Sequence, residues 1–127
     1  MLGRTRLTTI LPVADLARAR RFYGETLGLE PKGAAGDGTI LFACANGAIG
    51  LVEKPVPDPA THTSASFEVD DISKEISELT GRGILFEDYD LPGLKTVNKV
   101  CVLGGEKAAW FKDPDGNILC LHEPRRS

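Results

Sequence analysis

Two stretches of the chain repeat the same order of residue types, and this repeat limits the folds that are available. The tetrapeptide VADL begins at Val13, and VDDI begins at Val69. Each follows a run of β-forming residues and precedes apolar residues at helical spacing, so Asp15 and Asp71 are predicted to be helix N-caps. The sequence therefore predicts two copies of one supersecondary unit.

Each half is predicted to be a βαβββ module, which gives an α+β fold with two pseudo-symmetric modules in a single domain over residues 1–127. The predicted strands of the first half cover residues 7–13, 30–33, 39–43 and 48–53. In the second half they cover residues 63–69 and 84–86, residues 97–102 within a longer insertion, the apolar run from Ala108 that ends at Trp110 and Phe111, and residues 118–122. Three prolines in the segment 54–61 exclude a regular element there. We therefore expect modules at about 5–53 and 62–123, joined by the Pro-rich linker 54–61.

Turn-forming residues mark the hairpin that closes each module. DPDGN at 113–117 combines a proline, which fixes φ, with a glycine that is free to take a positive φ, between two apolar runs. Asn46-Gly47 is the corresponding signal in the first half. Both predict a tight connection just before the last strand of a module.

Composition excludes several classes of partner. The 127 residues carry a net charge of −3, and the basic residues form no stripe, so we expect no nucleic-acid partner. The apolar runs are too short to cross a membrane, and no signal-peptide pattern begins the sequence. Cysteines at 44, 101 and 120 are odd in number and form no CxxC pair. We therefore expect free thiols and a cytoplasmic protein.

The chain resembles the vicinal oxygen chelate superfamily in the order and spacing of several short motifs. These motifs are the two tetrapeptides, FY at 22–23, LGL at 27–29, FEVDD at 67–71 and DPDGN at 113–117. This superfamily includes glyoxalases, bleomycin-resistance proteins and extradiol dioxygenases. The resemblance covers nearly the whole chain. It implies paired modules whose curled sheets form an open cleft, and it implies a homodimer. In catalytic members, it implies a divalent metal held by His, Glu or Gln on the first and last strands of the modules.

The residues at the ligand positions implied by this resemblance do not suit such a metal. Counting from the repeated tetrapeptides gives Thr8 and Ser64, and counting from the turn glycines gives Leu51 and Cys120. Two hydroxyls, a thiol and an apolar chain supply neither the charge nor the imidazoles that divalent metals require. We therefore expect no metal and no other cofactor.

An offset metal site is the alternative interpretation. Glu53, His62 and His122 each lie two residues along a strand from one of those positions, and so on the same face. A shift of two residues displaces a side chain by ~6–7 Å, and all three would have to shift together. The simpler interpretation places both histidines at the rim of the cleft.

Strand alternation predicts which side chains line the cleft. An aromatic plate, small polar residues and a few apolar residues suit a flat organic ligand held by stacking and a few polar contacts. The predicted lining residues are Thr8, Ile10, Leu51, Ser64, Ser66, Glu68, Trp110, Ile118, Cys120 and His122.

Three functions follow from these patterns. The first is a glyoxalase/bleomycin-resistance-like protein that binds a small organic molecule without a metal. The second is a metal-dependent lyase, isomerase or dioxygenase that uses the offset site. The third is a metal-free isomerase or hydrolase with Glu68 as base or Cys120 as nucleophile. The missing ligands favour binding, and the residues alone leave open whether the protein is an enzyme.

Overall fold

The computed structural model describes residues 1–55 and 59–125. The chain divides into two compact units. The first contains the described residues up to Pro59 together with Asp113–Asn117, and the second contains the remaining described residues from Ala60 onward. Residues 56–58 of the predicted linker lie outside the described residues, and the division into modules at about 5–53 and 62–123 stays a prediction.

The first unit is a four-stranded sheet with one helix. Its elements are a 3₁₀ turn (Leu2–Arg4), β1 (Thr8–Val13), α1 (Leu16–Arg21), a π-helical turn (Phe22–Thr26), β2 (Glu30–Ala34), β3 (Ile40–Cys44) and β4 (Gly47–Glu53). The strand order is β1-β4-β3-β2, with β1 parallel to β4 and the other pairs antiparallel.

The second unit repeats this topology. Its elements are β5 (Thr63–Glu68), α2 (Ile72–Gly81), the short strands β6 (Asp90–Leu91) and β7 (Leu94–Lys95), β8 (Cys101–Leu103), β9 (Glu106–Lys112) and β10 (Ile118–Glu123). The strand order is β5-β10-β9-β8, and the first and last strands of the module are again parallel neighbours. The predicted α+β class and the paired βαβββ plan are confirmed, and both sheets are open.

One face of each sheet is buried beneath its helix. In the first unit the buried side chains include Leu11, Val13, Tyr23, Phe42 and Leu51. In the second they include Ile72, Leu79, Phe111, Leu119 and Leu121. The apolar side chains recur at every second strand position, as expected for a strand with one face covered.

The second half departs from the predicted strands in two places. Phe86 forms only a single bridge with Phe111, so residues 84–86 are not a strand. The predicted strand over 97–102 is shortened to Cys101–Leu103, because Asn98 and Lys99 adopt positive φ angles and turn the chain. Among the described residues, no helix is both long and apolar enough to cross a membrane.

Candidate functional site

The exposed face of the second sheet collects most of the predicted site residues of that unit. Cys120 on β10 lies opposite Ser66 on β5 and opposite Trp110 on β9. One step along the same face, His122 lies opposite Glu68. The expected alternation is therefore present, and these five side chains belong to one surface.

Trp110 is the largest side chain on this surface, and its ring is held from two sides. Its indole Nε1 donates a hydrogen bond to the Thr63 hydroxyl at 3.2 Å. The Tyr89 ring packs against it edge to face, with centroids 5.6 Å apart and planes at 74°. The ring is half-buried, so part of it stays open to solvent. We call the surface formed by Thr63, Ser66, Tyr89, Trp110 and Cys120 the Trp110 face.

Thr63 and Tyr89 are absent from the predicted site residues. A bulge explains Thr63, because Ile118 pairs with Thr63 while Leu119 pairs with Ala65. Ser64 is the extra residue in this step and has no partner on β10, and the residue opposite the predicted lining residue Ile118 is Thr63. Tyr89 lies in the long insertion of the second module, where the sequence shows no regular pattern.

His122 is engaged through both ring nitrogens. Nδ1 lies 2.8 Å from Oε1 of Glu68, and Nε2 lies 2.6 Å from Oε1 of Glu106. The hydrogen bonds to Glu68 and Glu106 raise the pKa of the imidazole above its ordinary value. With a carboxylate oxygen against each ring nitrogen, both nitrogens that could bind a metal are already engaged within the unit.

Cys120 is a protonated thiol. Burial raises its pKa, and its Sγ donates a weak hydrogen bond to the Leu121 carbonyl at 3.3 Å. Only 6% of the residue is exposed. A reactive cysteine needs a lowered pKa and access, so these surroundings give no support to Cys120 as a nucleophile.

The first sheet corrects one predicted lining residue. Thr8 and Ile10 pair with Ala48 and Gly50 and share the exposed face. Leu51 pairs with Leu11 instead, and it is fully buried on the helix side. Its prediction as a lining residue is wrong, because neighbouring strand residues point to opposite faces.

The comparisons with known proteins agree with this topology. The family model described as the Glyoxalase/Bleomycin resistance protein/Dioxygenase superfamily matches residues 5–121. The chain belongs to this superfamily. No functionally curated protein matches the sequence.

Solved structures of the superfamily resemble the chain over nearly its full length. TnmS3, an antibiotic binding protein from Streptomyces sp. CB03234, is 25% identical, with 98% of each chain covered and a TM-score of 0.75. A superfamily member from Sphaerobacter thermophilus DSM 20745 is 24% identical, covers 98% of this chain and 100% of its own, and has a TM-score of 0.77. A glyoxalase/bleomycin resistance protein from the same Streptomyces strain is 24% identical, with 92% and 98% covered and a TM-score of 0.69.

The residues at the superfamily's metal positions do not fit a divalent ion. Thr8 and Ser64 offer neutral hydroxyls, and Cys120 offers a protonated thiol. Leu51, the residue predicted for the fourth position, is a buried apolar chain, and its neighbour Gly50, which pairs with Ile10 as Cys120 pairs with Ser66, has no side-chain donor. Soft and hard divalent metals alike require thiolates, imidazoles or carboxylates in these places.

The alternative set is not assembled as a metal site either. Over residues 1–55 and 59–125, no group of three or more His, Cys, Asp or Glu side chains is arranged to hold a metal ion. Glu53 accepts a hydrogen bond from the Leu16 backbone N–H at 3.2 Å, and His122 lies between two carboxylates. His62 is exposed at the start of β5. Glu53 and His122 therefore have other partners within their own units.

Proposed function

We propose that this protein binds a small, flat organic molecule on the Trp110 face, without a resident metal and without converting its ligand. The observation that carries the proposal is the half-buried Trp110 ring, held by Thr63 and Tyr89 beside the small residues Ser66 and Cys120. A fixed aromatic surface next to small neighbours leaves space for a ligand ring to stack. The aromatic side chain loses little conformational entropy on binding because its position is already set.

The groups that would have to carry chemistry on this face are in unreactive states. The raised pKa keeps the Cys120 thiol protonated, and both ring nitrogens of His122 lie against carboxylate oxygens. Oε1 of Glu68 lies 2.8 Å from Nδ1 of His122, so this oxygen is already engaged within the protein. TnmS3, an antibiotic binding protein, offers a precedent for binding by a similar chain.

The experiment is a titration of the tag-free protein with bleomycin, tetracycline and doxorubicin in turn. Calorimetry measures the affinity, and tryptophan fluorescence reports where the compound binds. Trp110 is the only tryptophan of the chain, so its fluorescence reports on this face alone. Replacing Trp110 with Ala is expected to weaken binding by about tenfold or more, since an aromatic contact contributes about 1.5 kcal/mol or more. Trp110→Phe keeps a ring and is expected to lose about threefold.

Leu85→Ala is the matched control, because Leu85 is an apolar side chain of the same unit that is 86% exposed. It should leave the affinity unchanged. Binding that is equally strong in Trp110→Ala would contradict the proposed site. Elemental analysis before and after dialysis against a chelator tests the metal, and a stoichiometric metal together with turnover of a bound compound would contradict the metal-free binding role.

We further propose a cytoplasmic homodimer. The three cysteines are free thiols, with Cys101 and Cys120 buried, which suits a reducing compartment. The dimer is an expectation from the superfamily resemblance. Light scattering coupled to size exclusion gives the mass in solution, and a monomer at micromolar concentration would contradict it.

A further inference from the structure

A groove of about 590 Å³ opens on the helix side of the first sheet, and the proposed ligand face does not include it. Its apolar floor is formed by Ile40 and Phe42 of β3. Arg20 and Arg21, at the end of α1, line the opposite side with Gly24 of the π-helical turn. We call this feature the arginine groove. Its volume lies in the range of sites that hold drug-sized molecules.

Three backbone irregularities create the space. The π-helical turn is closed by a hydrogen bond from Leu27 N–H to the Phe22 carbonyl at 2.9 Å, five residues back along the chain. On the facing edge strand, the register of β2 shifts between Pro31 and Ala34, and Gly33 there has a φ of 82°. π-turns and bulges recur at functional sites because they redirect side chains and open gaps in regular packing.

Gly24 sets the distance between the π-helical turn and the floor of the groove. A Cβ built on Gly24 would lie 3.2 Å from Cε1 of Phe42, closer than carbon atoms normally approach. The glycine therefore lets the backbone of the turn pack directly against the aromatic ring, which is only 2% exposed, so the accessible apolar surface of the floor is that of Ile40. The apolar floor suits the hydrocarbon part of a ligand.

The charge of the groove indicates that the polar part of the ligand is an anion. In the part of the chain that the structure describes, Arg18 pairs with Asp115, whereas Arg20 and Arg21 take part in no ion pair. Two arginines line the groove together with one acidic residue, Glu25. The excess is positive although the whole chain carries a net charge of −3. Guanidinium groups present a planar fork that matches a carboxylate.

We infer that the arginine groove binds a small organic anion, an aromatic or branched carboxylate whose apolar body lies against Ile40 and Pro31. Arg20 and Arg21 would hold its carboxylate at the rim. The groove belongs to the first unit and the Trp110 face to the second, so either site can fail while the other stands.

The test is a ¹⁵N NMR titration of the full chain with sodium 2-naphthoate. Saturable shifts are expected at the amides of Gly24 and Gly33 and along β2 and β3, with a Kd of about 1 mM or tighter for so small a ligand. The neutral analogue 2-naphthamide should bind at least about threefold more weakly, because it lacks the charge that the guanidinium groups recognise.

The variant Arg20→Gln/Arg21→Gln should weaken 2-naphthoate binding by about threefold to tenfold, the range expected for exposed charged hydrogen bonds. Arg4→Gln/Arg6→Gln is the matched control, since it removes the same charge from exposed positions outside the groove. Ala34→Trp fills the groove without changing the charge and should abolish binding. Substitutions at exposed positions are expected to leave the fold intact.

Three results would overturn the inference. Equal affinity for the acid and the amide would show that the arginines do not recognise the ligand. An equal loss in the Arg4/Arg6 control would show attraction by overall charge only. Shifts of the Trp110 indole N–H in place of Gly24 and Gly33 would place the anion on the other unit.

Discussion

In each unit, two carboxylates bind the N-terminus of the helix, one from the Asp at its N-cap and one from a Glu at the end of the last strand of the module. In the first, Asp15 accepts from the Arg18 backbone N–H at 3.0 Å, and Glu53 at the end of β4 accepts from Leu16 N–H at 3.2 Å. In the second, Asp71 accepts from Lys74 N–H at 3.2 Å, and Glu123 at the end of β10 accepts from Ile72 N–H at 2.9 Å. Four exposed N–H groups begin every helix, and a carboxylate there also meets the positive end of the helix dipole. This attachment is the part of the module that both copies keep.

The two units differ in what surrounds that common attachment. The exposed face of β1 and β4 carries Thr8, Ile10, Pro12, Ala48, Gly50 and Val52, with no charged residue. The matching face of β5 and β10 carries the ion pair of Glu68 and His122 next to Cys120. The copies thus share what holds helix to sheet, and they differ on the surface where ligands would bind.

The core differs at one equivalent helix position. Tyr23 lies eight residues after Asp15, and Leu79 lies eight residues after Asp71, and both are buried. The Tyr23 hydroxyl donates to Oδ2 of Asp113 at 2.6 Å, and burial together with the charge of Asp113 raises the tyrosine pKa far above its ordinary value. The first unit therefore includes a buried polar network where the second unit has hydrocarbon.

The largest loss of stability is expected from substitutions that break this buried hydrogen-bond network. Asp113 also accepts from the backbone N–H and side-chain amide of Asn117, both at 2.8 Å. Asp113→Ala would leave the Tyr23 hydroxyl and the Asn117 backbone N–H buried without an acceptor, while the Asn117 side-chain amide would keep only its bond to the Pro12 carbonyl. The free energy of unfolding should therefore fall by about 3–5 kcal/mol. Urea denaturation measures it.

Two variants separate the network from simple packing. Tyr23→Phe removes one donor and keeps the ring, and it should cost about 1–2 kcal/mol. Leu79→Ala, at the equivalent position of the second unit, should cost about 2–5 kcal/mol through the cavity alone. A loss below about 1 kcal/mol for Asp113→Ala would show that the network does not stabilise the first unit.

Features that local residue types determine could be predicted from the sequence. Asp15 and Asp71 cap their helices as expected, because capping depends on a side chain and an N–H group only three residues apart. The alternation of buried and exposed residues on β10 is also as predicted, since one covered face imposes a period of two.

Register was harder to predict, and the turn of the first hairpin shows why. Cys44 pairs with Gly47, so the two turn residues are Ala45 and Asn46, with a positive φ at Ala45. Counting from Gly47, as from Gly116 in the longer turn, leads to Leu51. The true counterpart of Cys120 is Gly50, because Ile10 pairs with Gly50 as Ser66 pairs with Cys120. An error of one residue moves a side chain to the other face.

Features that depend on distant contacts left no local signal. The bulge at Ser64, the contact of Tyr89 with Trp110 and the binding of Glu106 to His122 join residues from separate strands or from the insertion. Glu53 and Glu123 show the opposite case. Each is the final residue of the last strand of its module, and each accepts a hydrogen bond from the first N–H of the helix in that module. Their equivalent places in the internal repeat are therefore a sequence signal for this shared role.

An intermediate effect is expected from removing these shared carboxylates. Glu53→Ala and Glu123→Ala should each lower the free energy of unfolding by about 1 kcal/mol, because each removes one hydrogen bond to a helix N-terminus and a favourable charge at the dipole. Parallel urea denaturation of the two variants tests whether the attachment is equivalent in both units.

Gln at the same positions provides the control, since it keeps an acceptor and removes the charge, and it should recover part of the loss. Glu123 also lies 3.9 Å from Lys107, a contact that adds little at the surface. A cost confined to one of the two glutamates would show that the attachment is not a shared device.

The smallest effect concerns the charged face that only the second unit has. Because the hydrogen bonds to Glu68 and Glu106 raise the His122 pKa from 6.5 in the folded state, their contribution is fully present below the unfolded pKa. It is lost as the pH rises through the folded pKa. Since the pairs are exposed, we expect Glu68→Gln/Glu106→Gln to lower Tm by about 1–3 °C near pH 6, and by less near pH 9.

Thermal unfolding across this pH range measures the difference, and two variants identify its source. His122→Asn should remove the pH dependence of the difference while leaving both carboxylates in place. Glu87→Gln, which breaks the 3.6 Å pair with Lys112 in the same unit, should give a loss that is constant from pH 6 to pH 9 because no histidine takes part. A Tm difference for Glu68→Gln/Glu106→Gln that stays constant or grows with rising pH would mean that an uncharged His122, rather than the imidazolium, is the state that holds β5, β10 and β9 together.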